Sequence, residues 1–174
     1  MPQTEKASAH MAAIRHIKLF KYLSDPELKL LLGEAEVIPY RLGETIVSQW
    51  DMSDYLFAVL SGSVDVSVQD LESEVFICTI HPGEVFGEAA IFMTEKRTAT
   101  VVAAEACRVI RIHRADILYF LKQYPKGGIK ILMLVLNSLL TKLRAANMEI
   151  ILDRQSFYSL DEDDPLIRAI MKAE

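Results

Sequence analysis

The 174-residue chain lacks the long apolar runs and the secretory signature that would place it in or across a membrane. Its longest apolar stretch, residues 129–140, is interrupted by Lys130 and Asn137 and is shorter than the roughly 20 apolar residues that a membrane span requires. The N-terminus carries Glu5 and Lys6 and has no uninterrupted apolar segment followed by a cleavage site. We therefore expect a cytoplasmic protein that does not contact a membrane.

Cysteine is also scarce, and acidic residues outnumber basic ones. Cys78 and Cys107 lie alone within apolar runs, with no CxxC pair, so cysteine cannot build a zinc or iron–sulfur site and both thiols are expected to be buried and reduced. No closely spaced histidine pair and no Ser/His/Asp set with supporting context is found, so we predict no metal site, no catalytic residues, no cofactor and no enzyme activity. The net charge of −5 argues against direct DNA binding by this chain.

Glycine and proline are few, with 7 and 6 residues, and 51% of the chain is hydrophobic. This composition excludes a disordered or fibrous protein and predicts one globular domain with a sizeable core. The apolar spacing first predicts an amphipathic helix over residues 7–23. A second short helix should begin after Ser24, with Glu27 completing a capping box and Pro26 in the first turn, and should end near Gly33.

From residue 34 to residue 113 the period changes, and short runs of β-branched and aromatic residues alternate with turn residues. In the run that begins at Val64 the alternation is strict, so Val64, Val66 and Val68 should face inward and Asp65 and Ser67 outward. The predicted strands cover residues 35–40, 44–48, 55–60, 64–69, 75–80, 98–104 and 107–113. The pattern predicts an antiparallel β structure with one buried face.

After Arg114 the helical period returns, first over residues 115–123 and then in one long helix from Pro125 to about residue 157. Apolar residues of the long helix are spaced 3, 4, 3, 4, 3, 4, the pattern of a coiled-coil seam. The seam consists of Ile129, Leu132, Leu136, Leu139, Leu143, Ala146 and Ile150. It predicts a homodimer formed through residues 128–157; the alternative is a wide apolar face that packs only on its own barrel.

The segment that carries chemistry lies between two strands and reads FGEAA from Phe86, followed by RTATV from Arg97. Gly87 and the small residues Ala89 and Ala90 open a single helical turn whose backbone amides can hold an anion. Arg97 can add a planar fork of donors suited to a phosphate. Glu88 would be repelled by that anion unless it accepts hydrogen bonds from a neutral group such as a sugar hydroxyl. The set predicts a sugar phosphate with an apolar base; the alternative is a structural ion pair between Glu88 and Arg97.

At these residues the chain resembles the cyclic-nucleotide-binding domain family, which includes the bacterial catabolite activator protein and the regulatory subunits of protein kinase A. The resemblance covers about residues 8–157. It extends to the turn glycines in Leu42-Gly43-Glu44, Leu60-Ser61-Gly62 and Pro82-Gly83-Glu84, and to the last strand before Arg114. It implies a jelly-roll barrel and a regulatory ligand, cAMP or cGMP, with cAMP preferred.

The resemblance also implies roles for individual residues. Gly87, Ala89 and Ala90 would offer backbone amides to the cyclic phosphate, Arg97 would pair with its charge, and Glu88 would accept the ribose 2′-hydroxyl. Further members of the predicted binding set are Phe86 and Ala99 in the cassette, Thr98 as a donor to the phosphate or to a guanine edge, Val66 and Ile77 as the wall against the base, and Asn147 as a partner of the adenine amino group.

One position departs from the family pattern. A glycine usually precedes the aspartate in the turn after the second strand of the barrel, and here Trp50 precedes Asp51. Because a large aromatic residue tolerates a positive φ poorly, we expect this turn to adopt another conformation.

Taken together, the sequence predicts an α+β, mainly β fold: an antiparallel double-stranded β-helix barrel with N-terminal helices, a short phosphate-binding helix and a long C-terminal helix. Its parts are residues 1–33, the barrel 34–113 with the cassette 86–101, the lid and dimerisation helices 114–157, and an acidic tail 158–174. The predicted function is a cyclic-nucleotide sensor whose long helix moves on binding and controls a separate effector protein. The alternatives are a dimerisation or interaction module without nucleotide, and the sensor half of a transcription regulator.

Overall fold

The computed structural model describes residues 4–70, 73–93 and 95–161. Two antiparallel sheets, one of five strands and one of four, form the body of the fold. The strands are β1 Glu5–Lys6, β2 Glu36–Tyr40, β3 Thr45–Val47, β4 Tyr55–Ser61, β5 Val64–Gln69, β6 Glu74–Ile80, β7 Val85–Phe86, β8 Thr100–Ala103 and β9 Cys107–His113. The helices are α1 Met11–Ile14, α2 Asp25–Leu31, α3 Ala89–Phe92, α4 Arg114–Gln123 and α5 Pro125–Asp161, preceded by a 3₁₀ turn at Ala7–His10.

The strand order is β1-β2-β9-β4-β7 in one sheet and β3-β8-β5-β6 in the other. All seven strands predicted from the sequence are present, and the prediction of a mainly antiparallel β architecture is confirmed. The two strands that were not predicted, β1 and β7, have two residues each, too few for an alternation to be visible. Apolar side chains from both sheets form one core, with members such as Phe57, Val64, Val101 and Val109.

The single helix predicted over residues 7–23 is wrong. After α1 the backbone continues in tight turns, in which Ile17, Phe20 and Leu23 each donate to the carbonyl three residues earlier. The apolar residues that suggested the helix are spaced by three throughout, which is the period of i→i+3 turns rather than of an α-helix. Their burial is nevertheless as expected, because Ile14, Ile17, Phe20 and Leu23 are all buried.

The predicted capping box at the start of α2 is confirmed. The backbone N–H of Ser24 donates to Glu27 Oε2 at 2.7 Å, and the Ser24 hydroxyl donates to the same oxygen at 2.8 Å. Glu27 also faces the start of α5, since a Cβ built on Gly127 would lie 2.6 Å from its Oε1. A glycine at 127 therefore permits the close approach of α2 to the first turn of α5.

Glu27 should make stability depend on pH. Its hydrogen bonds from Ser24, with a smaller contribution from the charge of Lys130, hold the pKa of its carboxyl below the ordinary value of 4.5. A lowered carboxyl pKa gives stability that is present above the unfolded-state pKa and is lost as the pH falls through the folded-state value. We expect Glu27→Gln to lower the free energy of unfolding by about 1 kcal/mol at pH 7, with the difference from the wild type shrinking below about pH 4.5.

Urea titrations at pH 7 and pH 3 check this prediction. Glu34→Gln is the matched control, because Glu34 is an exposed carboxylate just after the same helix. A Glu27→Gln deficit of equal size at both pH values would contradict the expected role of the ionised carboxylate.

Two expectations for β5 and β6 are corrected. Val64 is buried and Val66 packs against the core as predicted, but Ser67, expected to face outward, is also buried and bonds to Glu74 through its hydroxyl. Cys78, expected to be buried, is exposed, because β6 is the edge strand of its sheet. The pairing of β6 also shifts here: Val66 lies opposite Cys78 but Ser67 lies opposite Phe76, which leaves Ile77 as an extra residue.

The chain divides into two units within α5, residues 1–134 and residues 135–174. In the first unit Ile131 is buried, lining with Leu19, Phe20 and Ile117 a small apolar space under the sheet. In the second unit the predicted seam residues Leu136, Leu139 and Leu143 are exposed. Among the described residues, no helix is long and apolar enough to cross a membrane.

The long helix runs to Asp161, beyond the predicted end at residue 157. Its side chains from residue 149 onward, including the predicted seam residue Ile150, lie outside the described part. The predicted acidic tail 158–174 likewise lies outside it from residue 162 onward.

Candidate functional site

The cassette starts from the core of the barrel. Phe86 in β7 lies opposite Phe57 of β4, and the two buried rings stack with their centroids 5.0 Å apart. Gly87 and Glu88 follow directly and lead into α3. The start of the cassette is therefore fixed by sheet pairing and aromatic packing, which hold Gly87 beside the strand β4.

Gly87 is required in this position for two reasons. Its φ is +76°, a left-handed conformation that residues with a Cβ adopt at a cost. A Cβ built there would also lie 2.7 Å from Arg97 Nη1 and 3.2 Å from the Tyr55 carbonyl oxygen. The glycine thus lets the backbone approach the arginine side chain.

Arg97 extends inward and reaches three acceptors. Its Nη2 donates to the Tyr55 carbonyl at 2.6 Å and to the Ser53 hydroxyl at 3.0 Å. Its Nη1 donates to the Gly87 carbonyl at 3.4 Å, near the upper limit for a hydrogen bond. In the described part of the chain these acceptors are neutral, so Arg97 does not form the structural ion pair with Glu88 that was the alternative.

The guanidinium is a buried cation with an unused donor. Arg97 is 8% exposed, and its Nε is buried with no hydrogen-bond partner among the described residues. Burial lowers the pKa of Arg97, opposed by the negative charge of Asp54, and the group lies 5.6 Å from the centre of the Phe57 ring. A buried charge with an unsatisfied N–H is costly, and an anion at Nε would remove that cost.

The other cassette residues differ in how far they are exposed to solvent. Glu88 is 5% exposed and directly precedes α3, whereas Ala89 and Thr98 are exposed and Ala99 is half-buried. Ala90 is the second residue of α3, and its side chain lies outside the described part. The cassette therefore combines a buried carboxylate and a buried guanidinium with a small, exposed helical turn.

The predicted wall residues lie on neighbouring strands. Val66 is half-buried in β5, where it pairs with Val101 of β8, the strand that follows Thr98 and Ala99. Ile77, on the edge strand β6, is exposed. Asn147 is an exposed residue of α5 in the second unit, and its contact with a base remains a prediction.

The conformation expected for the turn at Trp50 is wrong. Trp50 keeps the left-handed conformation, with φ +73°, and is the one non-glycine residue in the described part with a positive φ. Two backbone bonds hold it there: Trp50 N–H donates to the Arg97 carbonyl at 2.8 Å, and Arg97 N–H donates to the Asp51 carbonyl at 2.9 Å. Pairing with the arginine segment therefore overrides the local preference of tryptophan.

We expect Trp50→Gly to raise the free energy of unfolding by about 1 kcal/mol, because it relieves a left-handed strain of about 1–2 kcal/mol while making the unfolded chain more flexible. The indole is 63% exposed, so its loss removes little packing. Trp50→Ala is the control, since it keeps a Cβ and should stay within about 0.5 kcal/mol of the wild type. Urea unfolding followed by circular dichroism measures both. A glycine variant no more stable than the alanine variant would contradict the strain.

Sequence reasoning missed two groups that hold Arg97. The Tyr55 oxygen belongs to the backbone, so no residue type at that position could signal it. Ser53 is a single hydroxyl in a turn and matches no spacing pattern. Within the described residues, no group of three or more His, Cys, Asp or Glu side chains could hold a metal ion.

The chain is similar to known proteins in sequence and in fold. The sequence profile of a family described as cyclic nucleotide-binding domain matches residues 37–124, about half of the chain. The crystal structure of a cyclic nucleotide-binding domain from Methylobacillus flagellatus superposes with a TM-score of 0.77 at 22% identity, covering 85% of this chain and 86% of that one. The superposition shows that this chain has the fold of that domain.

Two curated relatives are much longer than the segment they share with this chain. The cyclic AMP receptor protein of Thermus thermophilus is 31% identical over 140 residues, which cover 80% of this chain and 62% of the relative. A cGMP-dependent protein kinase of Plasmodium berghei is 30% identical over 101 residues, which cover 58% of this chain and 11% of the kinase.

Proposed function

The chain belongs to the cyclic nucleotide-binding domain family, and from this premise we propose that it is a cAMP sensor that couples ligand binding to movement of α5. The family is typically regulatory rather than catalytic. The observation that carries the proposal is the burial of the Arg97 guanidinium in the cassette, where its Nε has no hydrogen-bond partner among the described residues. A cyclic phosphate is an anion whose charge and oxygen acceptors complement a guanidinium.

In the proposed complex each cassette residue has one task. Arg97 and the backbone amides of Gly87, Ala89 and Ala90 bind the phosphate, and Glu88 accepts the ribose 2′-hydroxyl. The other contacts come from Phe86, Thr98 and Ala99 in the cassette and from Val66 and Ile77 against the base. Gly87 supports this assignment, since its lack of a side chain brings backbone and guanidinium together.

The preference for cAMP rests on two observations. The first is Asn147, whose side-chain amide can pair with the adenine amino group. Thr98 points the other way, because its hydroxyl could bind a guanine edge. The relative named as a cyclic AMP receptor protein matches 80% of this chain, against 58% for the cGMP-dependent kinase. We therefore infer cAMP as the ligand, with cGMP as the weaker competitor.

The proposed switch uses the helices 114–157. Ligand can favour a state in which α5 covers the site only by binding that state more tightly than the open one. The exposure of the seam residues Leu136, Leu139 and Leu143 supports a homodimer through residues 128–157. The barrel 34–113 would then sense the ligand, and α5 would pass the change to a separate effector protein.

A melting scan with cAMP, cGMP, a cyclic dinucleotide and linear 5′-AMP tests the proposal. A ligand at 100 times its Kd stabilises the native state by about 2.7 kcal/mol, so cAMP should raise Tm by several degrees and cGMP by less. Linear AMP is the matched control for the cyclic phosphate. If no cyclic nucleotide raises Tm, the proposal fails and a dimerisation module without nucleotide becomes the better account.

A further inference from the structure

One of the groups that hold the buried guanidinium is a side-chain hydroxyl outside the cassette. Arg97 Nη2 lies 3.0 Å from Ser53 Oγ and 2.6 Å from the Tyr55 carbonyl oxygen. The carbonyl is present whatever residue occupies position 55. The hydroxyl depends on the side chain at position 53, and only serine or threonine could supply it at this length.

The two acceptors together account for both hydrogens of Nη2, and the rest of the guanidinium is less engaged. A guanidinium carries five N–H donors in a fixed plane. Nη1 reaches only the distant Gly87 carbonyl at 3.4 Å, and Nε has no partner within the described residues. Arg97 is therefore anchored at Nη2, whereas Nη1 is weakly engaged and Nε has no partner among the described residues.

The anchor is itself rigidly placed. The turn that contains Ser53 is tied to the Arg97 backbone by the bonds from Trp50 N–H to the Arg97 carbonyl and from Arg97 N–H to the Asp51 carbonyl. Because these bonds hold the turn against the arginine segment, the backbone that carries Ser53 stays close to the root of the Arg97 side chain. The hydroxyl can thus select one orientation of a long side chain.

We propose that Ser53 is a positioning residue for ligand binding: it holds the guanidinium turned inward, beside Gly87 at the start of the cassette, where the phosphate would bind. This inference rests on the proposed function of Arg97. A buried guanidinium gains hydration and rotamer freedom by swinging outward. If the inward orientation becomes a minor population, the apparent affinity falls by the same fraction.

Calorimetric titration with cAMP and with cGMP tests the role of Ser53. We expect Ser53→Ala to raise the Kd about tenfold, the value for an inward population of about one tenth. Ser53→Thr keeps the hydroxyl and should stay within about twofold of the wild type. The melting temperature of each ligand-free variant is measured in parallel, to separate loss of fold from loss of position.

A second background shows whether Ser53 acts through the arginine. Arg97→Lys keeps the positive charge but has no Nη2, so Ser53→Ala should change the Kd of that variant by less than about twofold. A tenfold loss in both backgrounds, or no loss in the wild-type background, would overturn the inference. If Ser53→Ala causes no loss but the wild type binds cAMP, the proposed function remains intact. A wild type that binds neither nucleotide would overturn the proposed function together with this inference.

Discussion

Arg97→Ala is expected to weaken cyclic-nucleotide binding by about 2–5 kcal/mol, the range for removing one partner of a desolvated, hydrogen-bonded charge pair. This corresponds to a loss of about 30-fold or more in affinity. The loss should be large because the guanidinium is buried beside Phe57 and has a donor with no partner in the described part of the chain. A phosphate bound there would be left without its counter-charge in a poorly solvated site.

Calorimetric titration of both proteins measures the effect. Arg108→Ala is the matched control, because Arg108 is an exposed arginine on β9 and should leave the affinity unchanged. The melting temperature of ligand-free Arg97→Ala checks that the barrel still folds. Equal affinities of the wild type and Arg97→Ala would remove the assignment of the cassette as the phosphate site.

The double substitution Leu139→Glu and Leu143→Glu is expected to convert a homodimer into monomers. Both leucines lie on the predicted seam of α5, and in the single chain they are 38% and 57% exposed. In the proposed dimer they would be buried against the partner helix, and the variant would place four carboxylates there. Burial of unpaired charges costs several kcal/mol each, enough to dissociate a helix pair of this length.

Light scattering coupled to size-exclusion chromatography gives the mass directly. Thr141→Glu is the control, since residue 141 lies on the opposite side of the helix from the seam and the substitution also introduces a carboxylate into the same helix. We expect the control to remain dimeric. A dimer mass for the double variant would show that the exposed leucines serve another purpose.

The barrel was predictable because each strand signal was local. Alternation and turn residues located seven strands within one or two residues of their observed bounds. The N-terminal segment was predicted wrongly, because apolar residues spaced by three were interpreted as one face of an α-helix. The distinction between a period of 3.0 and one of 3.6 decides such a case, and five apolar residues at the shorter period favour stacked turns.

Within the candidate site, the residues of the cassette could be named from the sequence, whereas their backbone contacts could not. Gly87 and Arg97 were both assigned to one phosphate, and in the structure Arg97 Nη1 lies 3.4 Å from the Gly87 carbonyl oxygen; their binding of a phosphate stays a prediction. The Tyr55 carbonyl gives no signal in a sequence. The prediction for the turn at Trp50 was wrong although the local preference of tryptophan was interpreted correctly. Backbone hydrogen bonds to Arg97, which is distant in the sequence, outweigh that preference.

The left-handed turn has an optical consequence. Trp50 is the single tryptophan of the chain, its indole is exposed, and its backbone is bonded to that of Arg97. Emission excited at the red edge of tyrosine absorption would therefore come from one indole next to the arginine segment. A shift of its wavelength or a change in its quenching by iodide would report events at the cassette, with no label attached to the protein.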